Sequence, residues 1–378
     1  MSKITRSPAK KRALVDIRAV AERANVSVAT ASRTVNRIST VNPKMAKRVW
    51  EAIRELNYFP NTQARALVSG RSGVLGLIVS EITNPFFSEL IQGFEDVAVE
   101  SGYEILIGST NYDPKRWELC IRRMLERKAD GVAVMTFGIE EPLLQQLAAR
   151  DIPLVFIDVG PERSAVSLLK VDYQHGIRQG VQHLAVLGHR NIAFVSGPVR
   201  LHSAHSRLDA FCKSLSECGI SPNPDWLLEG DHTLEGGILA MEKLIASGNL
   251  PTAVMCSNDM TAIGVLHGAY RGGLHVPGDL SIIGFDDVHM AQVMFPPLTS
   301  IQMSRLELAR AAVTALRAHA ENNSPRLEYK IDTHLVVRES TGYPRGTRLD
   351  LPKASTLQNQ ISPATKQKET VRSHQKAD

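Results

Sequence analysis

The chain has 378 residues, is 43% hydrophobic and carries a formal net charge of +5 at pH 7. That length exceeds one ordinary domain, and that apolar content can fill a large core. Four cysteines (Cys120, Cys212, Cys218 and Cys256) form no CxxC pair, and there is no GxxxxGK[ST] loop, no metal-ligand spacing and no apolar run of membrane-spanning length; redox, metal-centred, P-loop and membrane-embedded classes are set aside.

The thiols are expected to be reduced and buried, no cofactor is expected, and the basic start MSKITRSPAKKR lacks the apolar core of a signal peptide, so a cytoplasmic protein is expected. Charge is uneven. Residues 1–70 hold 14 Lys/Arg against 4 Asp/Glu, while the middle of the chain is acidic, so affinity for a polyanion belongs to the N-terminal part.

In chain order, the spacing of Ile17, Val20, Ala21 and Ala24 predicts an amphipathic helix over about 16–24. Asn25 follows at a tight corner and tolerates a left-handed backbone. Ser27 then caps a second helix in which Val26, Ala31 and Val35 are expected to face inward. Val28, Ala29, Thr30, Ser32, Arg33 and Asn36 remain for the outer face and its edges. A helix, a corner and a second helix with a small, polar, cationic face have the geometry of a helix-turn-helix DNA reader. The Arg33 fork matches the O6/N7 edge of guanine, and Val28 and Ala29 are short enough to approach base edges. Thr30, Ser32 and Asn36 suit phosphate oxygens. A third helix, about 43–56, turns Val49, Ile53 and Leu56 inward. Ser27 and Tyr58 complete the candidate contact residues of the head.

From Val74, apolar runs alternate with amphipathic segments. VLGLIVS, YEILIGS, GVAVMT and PLVFID are separated by helices predicted at about 86–100, 114–127 and 141–149. A second series contains NIAFVSG, TAVMCS and LSIIGFD, with helices at about 175–187, 204–218, 234–246 and 260–271. This rhythm predicts two doubly wound α/β lobes whose ligand lies beyond the strand C-termini. Asp158, Asn258, Asp259, Asp286 and Asp287 stand at such ends, Phe86 and Phe87 offer flat faces to a ring, and Arg207 is placed to lie near Asp286. Asp259 and Asp287 read more simply as helix caps. No GxSxG elbow or other nucleophile setting occurs, so no enzyme is expected. Residues 344–378 are polar and without apolar periodicity, which predicts a disordered tail.

The segments VSVATASRTVN, LNYFPNTQARALVSGRS, TNPFFSELIQGFE, LGHRNIAFVSGP, CSNDMTAIG, GLHVPGDLSIIGFDD and PPLTSI, in this order, resemble the LacI/GalR family of bacterial transcription regulators over nearly the whole chain. The resemblance implies an all-α helix-turn-helix head over 1–60, a hinge helix over 61–71 and a two-lobed, periplasmic-binding-protein-like body of doubly wound parallel sheets over 72–343. Its N-lobe would hold about 72–171 and 304–332, its C-lobe about 172–303 and 333–343. In the hinge, Leu67 would be wedged into the central base step, with Asn61, Ala64 and Arg65 near the groove and backbone. Asn84, Phe86, Phe87, Asp158, Arg207, Asn258 and Asp286 would line an effector cleft. Met303 and Val159 stand where ribose-type pockets place a glutamine and an arginine, which argues against free ribose. His202 and His205 either reach an acidic group on the ligand or are solvated loop residues.

The function so implied is a sequence-specific regulator, a repressor of carbohydrate-utilisation genes, binding a semi-palindromic double-stranded operator under control of a sugar-like effector. Without a leucine heptad helix, a homodimer is expected. The competing reading is a solute-binding protein built on the same body, against which the head counts.

Overall fold

Asp16 and Ser27 set the starts of the first two helices through their side chains. In the computed structural model, which describes residues 15–36, 38, 40–59, 71–136, 152–158, 166–322 and 327–347, Asp16 accepts from Ala19 N at 2.9 Å and opens α1 (Ile17–Ala24). Asn25, at φ 51°, ends it in the left-handed region. Ser27 Oγ accepts from Thr30 N at 3.1 Å to open α2 (Val28–Val35), and Pro43 begins α3 (Pro43–Leu56) behind an Asn42 cap. Val20, Ala21, Ala24, Ala31, Val49 and Ala52 form a small buried core. Thr34 takes the inward place expected of Val35, which is only half-buried; donating to the Thr30 carbonyl at 2.9 Å satisfies the Thr34 hydroxyl within the helix. The Arg48 guanidinium on α3 donates to the carbonyls of Ala24 and Asn25, so the third helix closes the exposed end of the first.

The body contains two six-stranded sheets. Strands β1 (Val74–Val79), β2 (Glu104–Ser109), β3 (Gly131–Met135), β4 (Leu154–Ile157), β5 (Val166–Val171) and β11 (Glu328–Ile331) are ordered β11-β5-β4-β3-β1-β2, all parallel. Strands β6 (Ile192–Ser196), β7 (Leu227–Glu229), β8 (Ala253–Cys256), β9 (Ser281–Asp286), β10 (Thr299–Met303) and β12 (Thr333–Val336) are ordered β12-β10-β9-β8-β6-β7, with only β12 antiparallel. The chain therefore passes between the sheets after β5, after β10 and after β11. Runs such as Ala253 to Cys256 are buried at every position because helices cover both faces.

In the first lobe α4 (Pro85–Glu100) and α11 (Arg305–Asn322) pack together over one face. On the other face α5 (Pro114–Glu126) sets Trp117, Ile121 and Met124 against Ile78, Val134 and Phe156. In the second lobe α6 (Tyr173–Val186) packs on α7 (His202–Glu217), and α8 (Leu234–Ala246) on α9 (Asp259–Arg271). Gly237 and Gly264 allow the latter pair to touch: a Cβ on either would lie about 2 Å from a backbone oxygen of the facing helix. The Asp130 carboxylate accepts from Ser72 N and Gly73 N, both at 2.8 Å, and fixes where the chain enters the body.

Several elements begin earlier than their apolar pattern. Capped by Asp172, α6 starts at Tyr173, two residues ahead of His175, and α7 starts at His202 rather than Ala204. The helix predicted at 141–149, residues 61–70 of the hinge and the tail beyond 347 lie outside the described residues. Cys120 and Cys256 are buried free thiols as expected, whereas Cys212 and Cys218 are half-buried. Among the described residues no helix is long and apolar enough to cross a membrane.

Candidate effector site and DNA-reading face

Arg207 is a buried cation held between aromatic rings. Its guanidinium carbon lies 4.1 Å from the Phe285 centroid and 4.9 Å from that of Tyr173, and one terminal nitrogen donates to the Ser257 carbonyl. Its Nη2 stands 4.0 Å from Asp286 Oδ1, as the spacing on the two elements suggested. Asp286 ends β9 at φ 109°, a conformation that few side-chain-bearing residues adopt. Burial pushes its carboxyl up to about 7, against the opposing pull of Arg207 and Arg305. The carboxylate therefore keeps its charge with difficulty and is poorly solvated.

These groups face a small cavity of about 20 Å³ between the lobes, closed down to the space of roughly one water. Asn84, Phe86, Phe87 and Tyr112 line it from the first lobe; Ser203, Arg207, His232, Asn258 and Asp286 line it from the second. Asn84 caps α4 by accepting from Phe86 N at 3.0 Å, which turns the helix start and its edge-to-face Phe86–Phe87 pair toward the cleft. Asn258 caps α9 through Thr261 N and donates to the His232 carbonyl at 2.9 Å. Across the mouth, Glu89 accepts from His289 N at 2.9 Å and pairs with Arg305 at 2.9 Å, while Arg305 also donates to the carbonyls of Asp286 and Asp287.

Two expected residues stand apart from this cavity. Asp158, at φ 59°, accepts from Tyr173 Oη at 2.6 Å and Val171 N at 3.1 Å and opens onto a neighbouring cleft with His202, Ser206 and Asp209. Burial raises its carboxyl above the usual range, and those hydrogen bonds oppose the rise. Met303 is fully buried in the core. His202 and His205 lie on the first turn of α7, not in a loop, with His205 paired to Asp209 at 3.2 Å. Val159 is outside the described residues. Neither Asp259 nor Asp287 is a helix cap: Asp259 accepts from Val288 N and Ser300 Oγ, and Asp287 accepts from Arg338 at 2.6 Å and Gln302 at 2.7 Å.

Tyr112, Ser203 and His232 were not singled out from the sequence. Tyr112 follows β2 and His232 follows β7, both beyond strand C-termini and both at positive φ, while Ser203 precedes Arg207 by one helical turn. The strand-end rule and the i, i+4 rule contain these positions but do not distinguish them from their neighbours. Although 40% of Tyr112 remains exposed, its hydroxyl end is enclosed, and burial together with Glu81 pushes it up to about 12. Burial drives His232 down to about 3, so the ring is neutral, with Nε2 3.0 Å from Ser257 Oγ.

On the head, Ser27, Val28, Ala29 and Arg33 are exposed together along the start and outer side of α2, with Thr30, Ser32 and Asn36 half-buried at its edges. Ser27 Oγ lies 2.9 Å from Thr30 Oγ1, so both hydroxyls are oriented by the cap. Tyr58 packs its ring on the head core. Asn61, Ala64, Arg65 and Leu67 lie outside the described residues.

Comparison with known proteins matches residues 16–61 to the model of bacterial regulatory proteins, lacI family, and residues 181–341 to a periplasmic binding protein-like domain. The HTH-type transcriptional repressor PurR of Photobacterium profundum is 32% identical over 86% of this chain and 98% of its own length. Catabolite control protein A of Priestia megaterium is 34% identical over 80% of this chain and 91% of its own. Among solved structures, a lac repressor dimer bound to operator and the anti-inducer ONPF superposes with a TM-score of 0.75 at 27% identity, covering 87% of this chain and 99% of that one. The complex of the transcriptional regulator CelR with cellobiose gives 0.66 at 27% identity, covering 86% and 99%. With a helix-turn-helix head, two parallel-sheet lobes and relatives of this similarity along most of its length, the chain belongs to the lacI family of bacterial regulatory proteins and is a DNA-binding transcriptional regulator, not an enzyme.

Proposed function

We propose that the protein is a cytoplasmic repressor of carbohydrate-utilisation genes that binds a semi-palindromic operator as a homodimer and is switched by a small sugar-like effector in the interlobe cleft. The observation that carries this reading is the cavity shared by Phe86, Phe87 and Tyr112 of one lobe with Ser203, Arg207 and Asp286 of the other. A ligand touching both sets binds one lobe arrangement better than another, and that differential affinity is what it can transmit to the head. Arg33, Val28 and Ala29 would read base edges while Ser27, Thr30, Ser32, Asn36 and Tyr58 hold the phosphate register. Asn61, Ala64, Arg65 and Leu67 would follow in the minor groove. Cellobiose in the CelR complex supports a sugar-like ligand.

The dimer has separate support. Tyr270 and Phe295 are 80% and 94% exposed beside Ile263, Leu266, Val276 and Met294, an apolar face of the kind that subunit contacts cover. A gel shift with a semi-palindromic DNA pool, with and without monosaccharides and cellobiose, tests the reading. Selective retention of a palindromic subset whose affinity a sugar alters is the expected result. Sugar binding without any DNA selection would favour the solute-binding alternative.

A further inference from the structure

Closed to about 20 Å³, the interlobe cavity is far smaller than the roughly 300 Å³ or more of ordinary ligand pockets. A sugar enters only if the lobes part, and one cluster of side chains opposes that movement.

Glu89 on α4 belongs to the first lobe, and both of its carboxylate oxygens are engaged. Oε1 accepts from His289 N at 2.9 Å, at the start of α10 (His289–Val293) in the second lobe, and Oε2 pairs with Arg305 Nη2 at 2.9 Å. Val288, the N-cap of α10, has no side chain that accepts, so the acceptor for this helix start comes from the other lobe. Arg305 stands two residues past β10, where the chain has just crossed into the first lobe, and reaches back. Its Nη1 donates to the Asp286 carbonyl and its Nη2 to the Asp287 carbonyl at 2.9 Å. Those two residues lie at φ 109° and 54°, a strained succession that presents both carbonyls to one guanidinium. Arg338 and Gln302 hold the Asp287 side chain, so the gripped corner is itself fixed.

Swinging the lobes apart about this crossover breaks the His289 bond and draws Arg305 from its carbonyls. The Arg305 and Glu89 side chains are only 17% and 29% exposed, so salt screens their pair weakly and separation leaves charges short of solvent. Neither residue lines the cavity, but Asp286 belongs to both structures, its carbonyl held by Arg305 and its carboxylate facing the cleft.

We infer that Glu89 and Arg305 form a clasp that keeps the lobes closed when no effector is bound, and that an effector enters by releasing it. The release step rests on the effector-cleft reading above; the closure does not.

Closure is tested by amide hydrogen exchange of the full-length protein without sugar or DNA, followed over residues 84–90 and 286–293. Arg305→Met is the decisive variant, since it leaves Glu89 and His289 in place. Both segments should exchange at least about threefold faster than in the parent, while β1 and β8, inside the two sheets, stay unchanged. Glu89→Gln, which keeps an acceptor for His289 N but loses the charge facing Arg305, should move the same segments by a smaller factor. Parent-like exchange over residues 84–90 in both variants overturns the clasp, as does equal acceleration in β1 and β8, the mark of a general loss of stability. Release is tested by calorimetric titration with cellobiose, which Arg305→Met should bind at least about threefold tighter than the parent because opening no longer opposes binding. Equal or weaker binding overturns release as a step in entry. Cellobiose silent on both proteins counts against the sugar-effector reading and removes the release step with it, while the exchange result still decides closure.

Discussion

Tyr173 Oη donates to Asp158 Oδ2 at 2.6 Å, so the first residue of a helix packed on one lobe holds a carboxylate at the end of a strand in the other. Asp158 is kept above the usual carboxylate range by burial, and Tyr173 and Val171 limit the rise. Tyr173→Phe is expected to raise the Asp158 pKa further and to lower stability at pH 8 by about 1 to 2 kcal/mol, the cost of leaving a buried acceptor short of a donor. Carboxyl titration by NMR and urea unfolding measure the two effects. An unmoved pKa would show that the hydrogen bond is not formed in solution.

Asp286 makes stability depend on pH in a defined direction. Its folded pKa of about 7 exceeds the unfolded value of 3.8, so between those values the native state binds more protons than the unfolded one. Stability contributed by this group is therefore lost as pH rises through that window, and the loss is complete above it. Asp286→Asn removes the linkage, and its Tm relative to the parent should be higher at pH 8 than at pH 5. Parallel melting curves across that range would contradict the burial of an ionising carboxyl here.

Gly197 lies against the His232 ring, where an added Cβ would fall 1.9 Å from Nε2. Gly197→Ala must displace a ring held by Ser257 on one side of the cavity. A destabilisation of about 1 to 3 kcal/mol is expected from overpacking, together with weakened effector binding. Denaturant unfolding and calorimetry read both; an unperturbed protein would mean that the ring has room to move.

Arg33 is exposed on α2 and carries no packing role. Arg33→Ala should leave thermal stability unchanged while reducing the preference for operator over random DNA by about 1 to 3 kcal/mol per half-site. Competition gel shifts against random DNA measure this, and retained discrimination would take the base-reading role away from Arg33.

Much of the architecture was legible before any coordinates. Ser27 as a cap, Asn25 in a left-handed corner, the strand runs around Val74 and Ala253, and the approach of Arg207 to Asp286 all follow from patterns spanning a few residues or from the rule that ligand groups gather at strand ends. Edge pieces such as β7 and β12 were not, because their three or four residues carry too short a pattern to separate from loops.

The sequence by itself determined the elements and the residue types at their ends, since helical period, capping and strand burial depend on neighbours within about one turn. Tertiary structure alone decided which of those residues share a cavity. Asp287 is held by Arg338 and Glu89 meets His289 N from 200 positions away, and Asp158 is drawn to Tyr173 rather than to Arg207 and Asp286. Ser203, Tyr112 and His232 join the site because two separately wound sheets bring their strand ends face to face. The burial that shifts Asp286 and His232 in opposite directions comes from that closure, a property of the packed lobes that no local pattern encodes.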